Sequence, residues 1–194
     1  MNHRFIDIHT HQPHPAILSP VMAGVHPWDA EKGLELPDFS ACDIVGETGL
    51  DYASKVDRVA QERLFRQHLD IAQKIARPVV LHVVRSFEVV MRILAEYPKL
   101  KGILFHGFIG STEQAARCFA RGYYLSFGKR SLASSKSRQV IATAPTERIF
   151  CESDDAPSTD VESIYCEVAA LRGESLESLQ RQIASNYEKL ILER

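Results

Sequence analysis

Short apolar runs alternate along the chain with longer stretches in which apolar residues recur every three or four positions. The short runs, rich in β-branched and aromatic residues, predict seven strands: Phe5–His9, Val21–His26, Ile44–Thr48, Pro78–Val83, Gly102–Gly107, Tyr123–Gly128 and Ile149–Asp154. The longer stretches predict six helices: Lys55–Ile75, Ser86–Glu96, Thr112–Arg121, Ser135–Thr143, Val161–Arg172 and Leu176–Leu192. This alternation predicts an α/β fold with a parallel sheet covered by helices.

The first predicted helix has the clearest apolar stripe. Its members recur at helical spacing and are Val59, Leu64, Phe65, Leu69, Ala72 and Ile75. Three histidines that end no strand, His3, His14 and His68, are expected at the surface.

Composition and charge narrow the class of protein. The chain has 194 residues, of which 45% are hydrophobic and 25% charged, which is typical of one globular domain spanning residues 1–194. The net charge of −2 excludes tight, sequence-independent wrapping of nucleic acid, although bound cations could supply the positive field of a nuclease.

The four cysteines and the apolar runs bear on localisation. The cysteines lie far apart without a CxxC pair, which favours a reducing cytoplasm. The residues after Met1 lack the apolar segment expected of a signal peptide, so we expect none, and no apolar run is long enough to span a bilayer. We expect a cytoplasmic protein without membrane association, and the sequence indicates no obligate protein partner.

Metal-competent side chains follow the predicted strands. His9 and His11 end the first strand and share one face, because side chains repeat with period two along a strand. Other strands end in the same residue types: His26, Glu47, His82, His106, and Glu152 with Asp154. A single histidine at a strand end is usually a hydrogen-bonded core residue. In a (β/α) barrel, however, the carboxyl ends of all strands open on one face, so the set together predicts a metal site.

Three cations stand beside these strand ends. Arg85 follows His82 by three residues, and Lys129 and Arg130 follow the sixth strand. They are candidates for holding an anionic substrate, and solvated loop charges are the equally weighted alternative.

The motifs together resemble the TatD-type metal-dependent deoxyribonucleases, within the amidohydrolase-like metallohydrolases. The matching segments keep the family's order over nearly the whole chain: Asp7–His11, Gly24–Pro27, Gly46–Tyr52, Leu81–His82, Phe105–Phe108, Ser126–Gly128, Glu152–Asp154 and Asn186–Leu190. The resemblance implies a TIM-barrel-like (β/α) barrel. We expect about seven strands, in a contracted or an open barrel, because the segment that follows His11 is shorter than in the family.

The resemblance also implies roles. His9, His11, Glu47 and Asp154 would hold one divalent ion, and Glu47, His82 and His106 would hold a second, with Glu47 bridging. Asp154 would be the general base, so Asp154 and Glu47 are the implied catalytic residues. The family shows one Asp before Ala-Pro, whereas this chain shows two, so Asp155 is the alternative ligand to Asp154. We favour Asp154, because it lies two residues after Glu152 and would share its face of the strand.

These roles predict a divalent-metal-dependent hydrolase, a phosphodiesterase or deoxyribonuclease that acts on DNA with a water activated by two metals. His26, Arg85, Lys129 and Arg130 are the candidate substrate-binding residues. The ligand chemistry admits Zn²⁺, Mn²⁺, Ni²⁺ or Mg²⁺. The alternatives are hydrolysis of a small-molecule ester, amide or phosphoester at the same site, or a non-catalytic metal-binding family member.

Overall fold

The computed structural model describes residues 4–192, so His3 lies outside the described residues. Within them, six strands form: β1 Met22–Ala23, β2 Ile44–Asp51, β3 Val79–Val84, β4 Ile103–Phe105, β5 Tyr124–Phe127 and β6 Ile149–Cys151. Seven α-helices form: α1 Arg58–Ile75, α2 Phe87–Leu94, α3 Thr112–Phe119, α4 Lys129–Ala133, α5 Ser135–Thr143, α6 Val161–Arg172 and α7 Leu176–Tyr187. Strands and helices alternate as predicted, and α4 is an addition to the predicted helices.

The described chain divides into two compact units. The terminal unit comprises residues 4–20 and 106–192, and the central unit comprises residues 21–105. The single domain over residues 1–194 stays a prediction. No helix within residues 4–192 is long and apolar enough to cross a membrane.

The central unit is built on β1 to β4, which lie side by side in chain order. Each neighbouring pair is parallel, and β2 runs along β3 from Val45 opposite Val79 to Asp51 opposite Val84. Buried apolar side chains of the strands and of α1 and α2 form its core: Ile44, Val45, Leu50, Phe65, Leu69, Val79, Leu81, Val90 and Ile93.

Two glycines set the spacing between β2 and its neighbours: Gly24 on the side of the segment that follows β1, and Gly46 on the side of β3. A Cβ on Gly24 would lie 2.7 Å from the carbonyl carbon of Gly46. A Cβ on Gly46, whose φ is +141°, would lie 2.6 Å from the Val80 carbonyl oxygen. Real Cβ contacts essentially never fall below 3.0 Å, so only glycine fits at either position, and the approach at Gly24 brings His26 beside Glu47.

In the terminal unit, β5 and β6 pair in parallel, with Leu125 opposite Ile149. The prediction of a strand over Phe5–His9 is wrong: this segment makes one isolated bridge, Ile6 with Leu18, and a second bridge, Thr10 with Asp154, follows it. Its main chain changes partner within two residues, since the Asp7 N–H donates to the Leu18 carbonyl and the Ile8 N–H to the Cys151 carbonyl. Residues 4–192 therefore hold six strands where seven were predicted.

The buried face of α1 differs from the predicted stripe. Val59 is 73% exposed, whereas Gln61 and His68 are fully buried. Gln61 satisfies its amide by accepting a hydrogen bond from the Asp51 N–H at 2.7 Å and donating to the Asp51 carbonyl at 3.0 Å. The surface assignment of His68 is wrong, because polar residues can be buried wherever the backbone supplies their partners. His14 is exposed as predicted.

Candidate metal centre

The first ligand set, here called the His9 cluster, comprises His9, His11 and Asp154 in the terminal unit. His9 Nε2 and His11 Nε2 both lie 3.7 Å from Asp154 Oδ1. This separation is too long for a hydrogen bond. Ligand atoms around a tetrahedral cation with bonds of ~2.1 Å lie about 3.4 Å apart, so the spacing fits atoms that share a metal ion.

Backbone hydrogen bonds align the two segments that carry this cluster. The His11 N–H donates to the Asp154 carbonyl at 3.0 Å, and the Asp154 N–H donates to the His9 carbonyl at 3.1 Å. Asp154 has a φ of +55°, a conformation that few residues other than glycine adopt. The paired backbone holds this turn and directs the Asp154 carboxylate toward the two imidazoles.

A buried carboxylate beneath the cluster ties the same segments together. Asp7 accepts hydrogen bonds from the Ser153 N–H at 2.9 Å, the Ser153 hydroxyl at 2.6 Å and the Ser158 hydroxyl at 2.8 Å. Burial raises the pKa of Asp7 to about 6, although these hydrogen bonds oppose the shift. Asp7 thus supports the turn that presents Asp154.

His106 and Glu152 form a second polar pair in the terminal unit. His106 Nδ1 lies 3.5 Å from Glu152 Oε1, and the Ser126 hydroxyl donates to Glu152 Oε2. Burial would raise the pKa of Glu152, but His106, His9 and Ser126 lower it overall. Ligand atoms of His106, Glu152 and Asp154 lie within 4.8 Å of one another. A buried carboxylate that stays ionised among imidazoles is a donor set suited to a divalent cation.

The second ligand set, here called the central cluster, comprises His26, Glu47 and His82 in the central unit. Glu47 Oε1 lies 2.7 Å from His82 Nδ1 and 3.3 Å from His26 Nε2. The first distance is that of a hydrogen bond, so a cation held here would replace it.

The partners of the two histidines separate their roles. His82 Nε2 lies 3.2 Å from Asp51 Oδ2, so a proton on Nε2 would leave the lone pair of Nδ1 for a metal. His26 Nδ1 instead accepts the Trp28 N–H at 3.2 Å, which places the proton of a neutral ring on Nε2. These tautomers, assigned from the partners, suit His82 to ligation and His26 to hydrogen-bond donation.

The cations that the sequence singled out lie outside these clusters. Arg85 follows β3, is exposed and has a φ of +52°. Lys129 Nζ lies 2.6 Å from Asp160 Oδ2, which makes it an ion-pair partner within the terminal unit.

The structure separates the two adjacent aspartates. Arg130 lies 3.3 Å from Asp155, whose side chain is 69% exposed. Asp154, at 22% exposure, is the residue that faces His9 and His11.

Asp51, beside the central cluster, was missed as a contributor to the site. Asp51 was noted only as part of a motif, yet it follows Glu47 by four residues, a spacing that puts two side chains on one face of a regular strand and could have found it. Asp51 Oδ2 also accepts the Trp28 Nε1–H at 2.6 Å. Burial alone would raise the pKa of Asp51, but the hydrogen bonds from Trp28 and His82 lower it overall.

Two of the proteins to which the chain is similar are named as hydrolases of distinct kinds. The uncharacterized metal-dependent hydrolase YabD of Bacillus subtilis is 32% identical over 143 residues, which cover 68% of this chain and 56% of YabD. A 3'-5' ssDNA/RNA exonuclease TatD of Erwinia billingiae is 29% identical over 199 residues, covering 87% of this chain and 76% of the relative. The chain spans 56% of YabD and of the Shigella flexneri exonuclease TatD, about half the length of these curated relatives.

Solved structures show the fold, and a family model shows the family. The crystal structure of YJJV, a TatD homolog from Escherichia coli, matches with a TM-score of 0.84 at 21% identity and covers 99% of both chains. A TatD family hydrolase from Entamoeba histolytica matches with a TM-score of 0.81 at 18% identity, over 92% of this chain and 76% of that one. These likenesses confirm the predicted fold class. Since residues 8–192 match the family model described as TatD related DNase, the chain belongs to the TatD family.

Proposed function

We propose that this chain hydrolyses phosphodiester bonds of single-stranded nucleic acid with the help of divalent cations. The His9 cluster carries the proposal, because two imidazole nitrogens stand 3.7 Å from one carboxylate oxygen, at metal-sharing distance. Similar proteins named as metal-dependent hydrolases, ssDNA/RNA exonucleases and a deoxyribonuclease support the substrate class.

Each unit would contribute its own ligands. In the terminal unit, His9, His11 and Asp154 would hold a cation, and His106, oriented by Glu152, would be a further ligand. In the central unit, Glu47 and His82 would ligate a cation, with Asp51 orienting His82. Two divalent cations, when bound, would neutralise charge on the phosphate and ease deprotonation of water.

The protein's own groups would move the proton and bind the phosphate. Asp154 is 22% exposed, so water can reach its carboxylate, which would accept the proton of the attacking water. His26 would donate its Nε2–H to a phosphate oxygen, and Arg85 would supply a positive charge after β3. Lys129 and Arg130 would bind phosphate only if they first left their ion pairs with Asp160 and Asp155, respectively.

The test uses the purified chain and end-labelled single-stranded DNA with Mg²⁺, Mn²⁺, Zn²⁺ or Ni²⁺. We expect hydrolysis that EDTA abolishes and that Glu47→Ala lowers by at least about 100-fold. The matched control is Glu35→Ala, which removes an exposed carboxylate of the same unit and should leave the rate unchanged.

Two results would contradict the proposal. Full activity of the Glu47→Ala variant would show that the central cluster takes no part in the reaction. Turnover of small esters or phosphomonoesters far above that of DNA would move the protein to a different substrate class.

A further inference from the structure

We propose that Trp28 is a stacking platform for one unpaired nucleobase of the substrate, an inference that rests on the proposed function. Its side chain is 57% exposed, and it is the one aromatic residue among the large apolar side chains exposed in residues 4–192. An exposed indole presents a flat apolar surface that any nucleobase can cover, whatever its identity.

The indole is held in place at two points. Its Nε1–H donates to Asp51 Oδ2 at 2.6 Å, and Asp51 itself is only 4% exposed. The backbone N–H of Trp28 donates to His26 Nδ1 at 3.2 Å, in a 3-10 turn that begins at Pro27. A ring fixed before binding loses little conformational freedom when a base stacks on it, so more of the stacking energy appears as affinity.

The ring also stands beside the central cluster. Its centroid lies 4.6 Å from that of His26 and 6.0 Å from that of His82, in edge-to-face contacts. Phosphate and base are linked through one sugar, so a base stacked on Trp28 belongs to a nucleotide near the phosphate that these residues would bind. The platform therefore deepens the proposed function by naming the part of the substrate that Trp28 recognises.

The charge balance favours this use of Trp28. With a net charge of −2, the chain offers little general attraction to a phosphate backbone. Stacking is independent of net charge and is the usual alternative source of affinity for single strands. It would also favour single-stranded over double-stranded substrates, because paired bases are already stacked on one another.

The sequence contains a single tryptophan, so intrinsic tryptophan fluorescence reports Trp28 alone. The experiment titrates the full chain with a short oligothymidylate and with an abasic oligomer of equal length and charge, in EDTA and again in Mg²⁺. We expect saturable quenching by oligothymidylate and none by the abasic oligomer.

Substitutions separate stacking from the hydrogen bond to Asp51. Trp28→Ala should weaken oligothymidylate binding by about 5- to 100-fold, measured by anisotropy of a labelled strand, and leave abasic binding unchanged. Trp28→Phe keeps an aromatic face without the N–H and should retain most of the affinity. In kinetics, Trp28→Ala should raise KM with little change in kcat, and Leu34→Ala, an exposed apolar control at 53%, should change neither.

The outcomes distinguish the two proposals. If the wild-type chain binds and hydrolyses the strand but Trp28→Ala binds equally well, or the abasic oligomer quenches equally, the stacking platform is overturned while the proposed function stands. If Trp28→Phe is as impaired as Trp28→Ala, Trp28 acts through Asp51 and the platform is likewise overturned. If the wild-type chain neither binds nor hydrolyses the strand, the proposed function itself fails.

Discussion

Asp51 Oδ2 lies 3.2 Å from His82 Nε2, and this contact turns the opposite nitrogen of the ring toward Glu47. A carboxylate that accepts the distal N–H of a histidine fixes its tautomer and raises its basicity as a ligand. Asp51 is therefore a positioning residue, since it acts on the candidate metal site through His82.

Asp51→Asn should lower the affinity of the chain for Mn²⁺ or Zn²⁺ by about 10- to 100-fold, because the amide orients His82 less strongly. Isothermal titration of the EDTA-stripped protein measures this. Asp29→Asn, which removes a carboxylate paired with exposed Lys32, is the control and should bind metal normally. Unchanged affinity in Asp51→Asn would show that Asp51 does not position a ligand.

Asp154→Asn should reduce DNA hydrolysis by at least about 100-fold, because it weakens a ligand and removes the acceptor for the proton of water. Asp155→Asn is the matched control from the next position and should keep nearly full activity, since Asp155 contacts the exposed Arg130. Rates measured side by side decide between the two aspartates. The reverse pattern would assign the role to Asp155.

Asp7→Ala should destabilise the chain by about 2–4 kcal/mol, because it leaves the buried donors of Ser153 and Ser158 without their acceptor. Urea unfolding measures the free energy. Asp38→Ala, which removes an exposed carboxylate that accepts hydrogen bonds from nearby Ser40, should leave the midpoint unchanged. A loss below about 1 kcal/mol for Asp7→Ala would contradict a supporting role.

Acid sensitivity should come in part from His68. Burial lowers its pKa in the folded chain below the ordinary value of 6.5, despite the hydrogen bond to the Leu64 carbonyl. Below about pH 6.5 the unfolded chain binds this proton more readily, so the contribution of His68 is complete above that pH and is lost as pH falls toward the folded pKa.

The loss of unfolding free energy between about pH 7.5 and pH 5.5 should be smaller in His68→Gln than in the wild type. Glutamine keeps an acceptor for the Val25 N–H, which His68 Nε2 accepts at 3.0 Å, but does not titrate. His14→Gln controls for an exposed histidine and should behave as the wild type. An equal loss in all three proteins would remove His68 as the cause.

The candidate ligands were predictable because one rule covers them. The expectation that parallel strands end on the same edge of a sheet singled out Glu47 and His82, although both lie inside their strands, because β2 continues to Asp51 and β3 to Val84. His9 and His11 were found by the same reading even though their segment is not a strand. The rule succeeded there because the isolated bridge from Thr10 to Asp154 holds this segment as a strand would.

The supporting residues were harder to predict because their roles depend on partners distant in the chain. His68 has the helical spacing of Phe65 and Leu69 and lies on the same buried face. Nothing in the sequence around His68, however, indicates that it accepts a hydrogen bond from the Val25 N–H, 43 residues earlier. The network of Asp7 depends on Ser153, which follows it by 146 residues. Periodicity reports which face is buried, and it does not report which distant donor will meet a buried acceptor.

The close approach of Gly24 to Gly46 has a consequence for sequence variation. Both positions meet backbone atoms rather than flexible side chains, so no neighbour can make room by rotating. In a saturation library screened for folded protein, both codons should return glycine almost alone, while the exposed Trp28 should tolerate many replacements. The distance between His26 and Glu47 thus depends on Gly24, and the packing of β2 against β3 depends on Gly46, two residues that have no side chain.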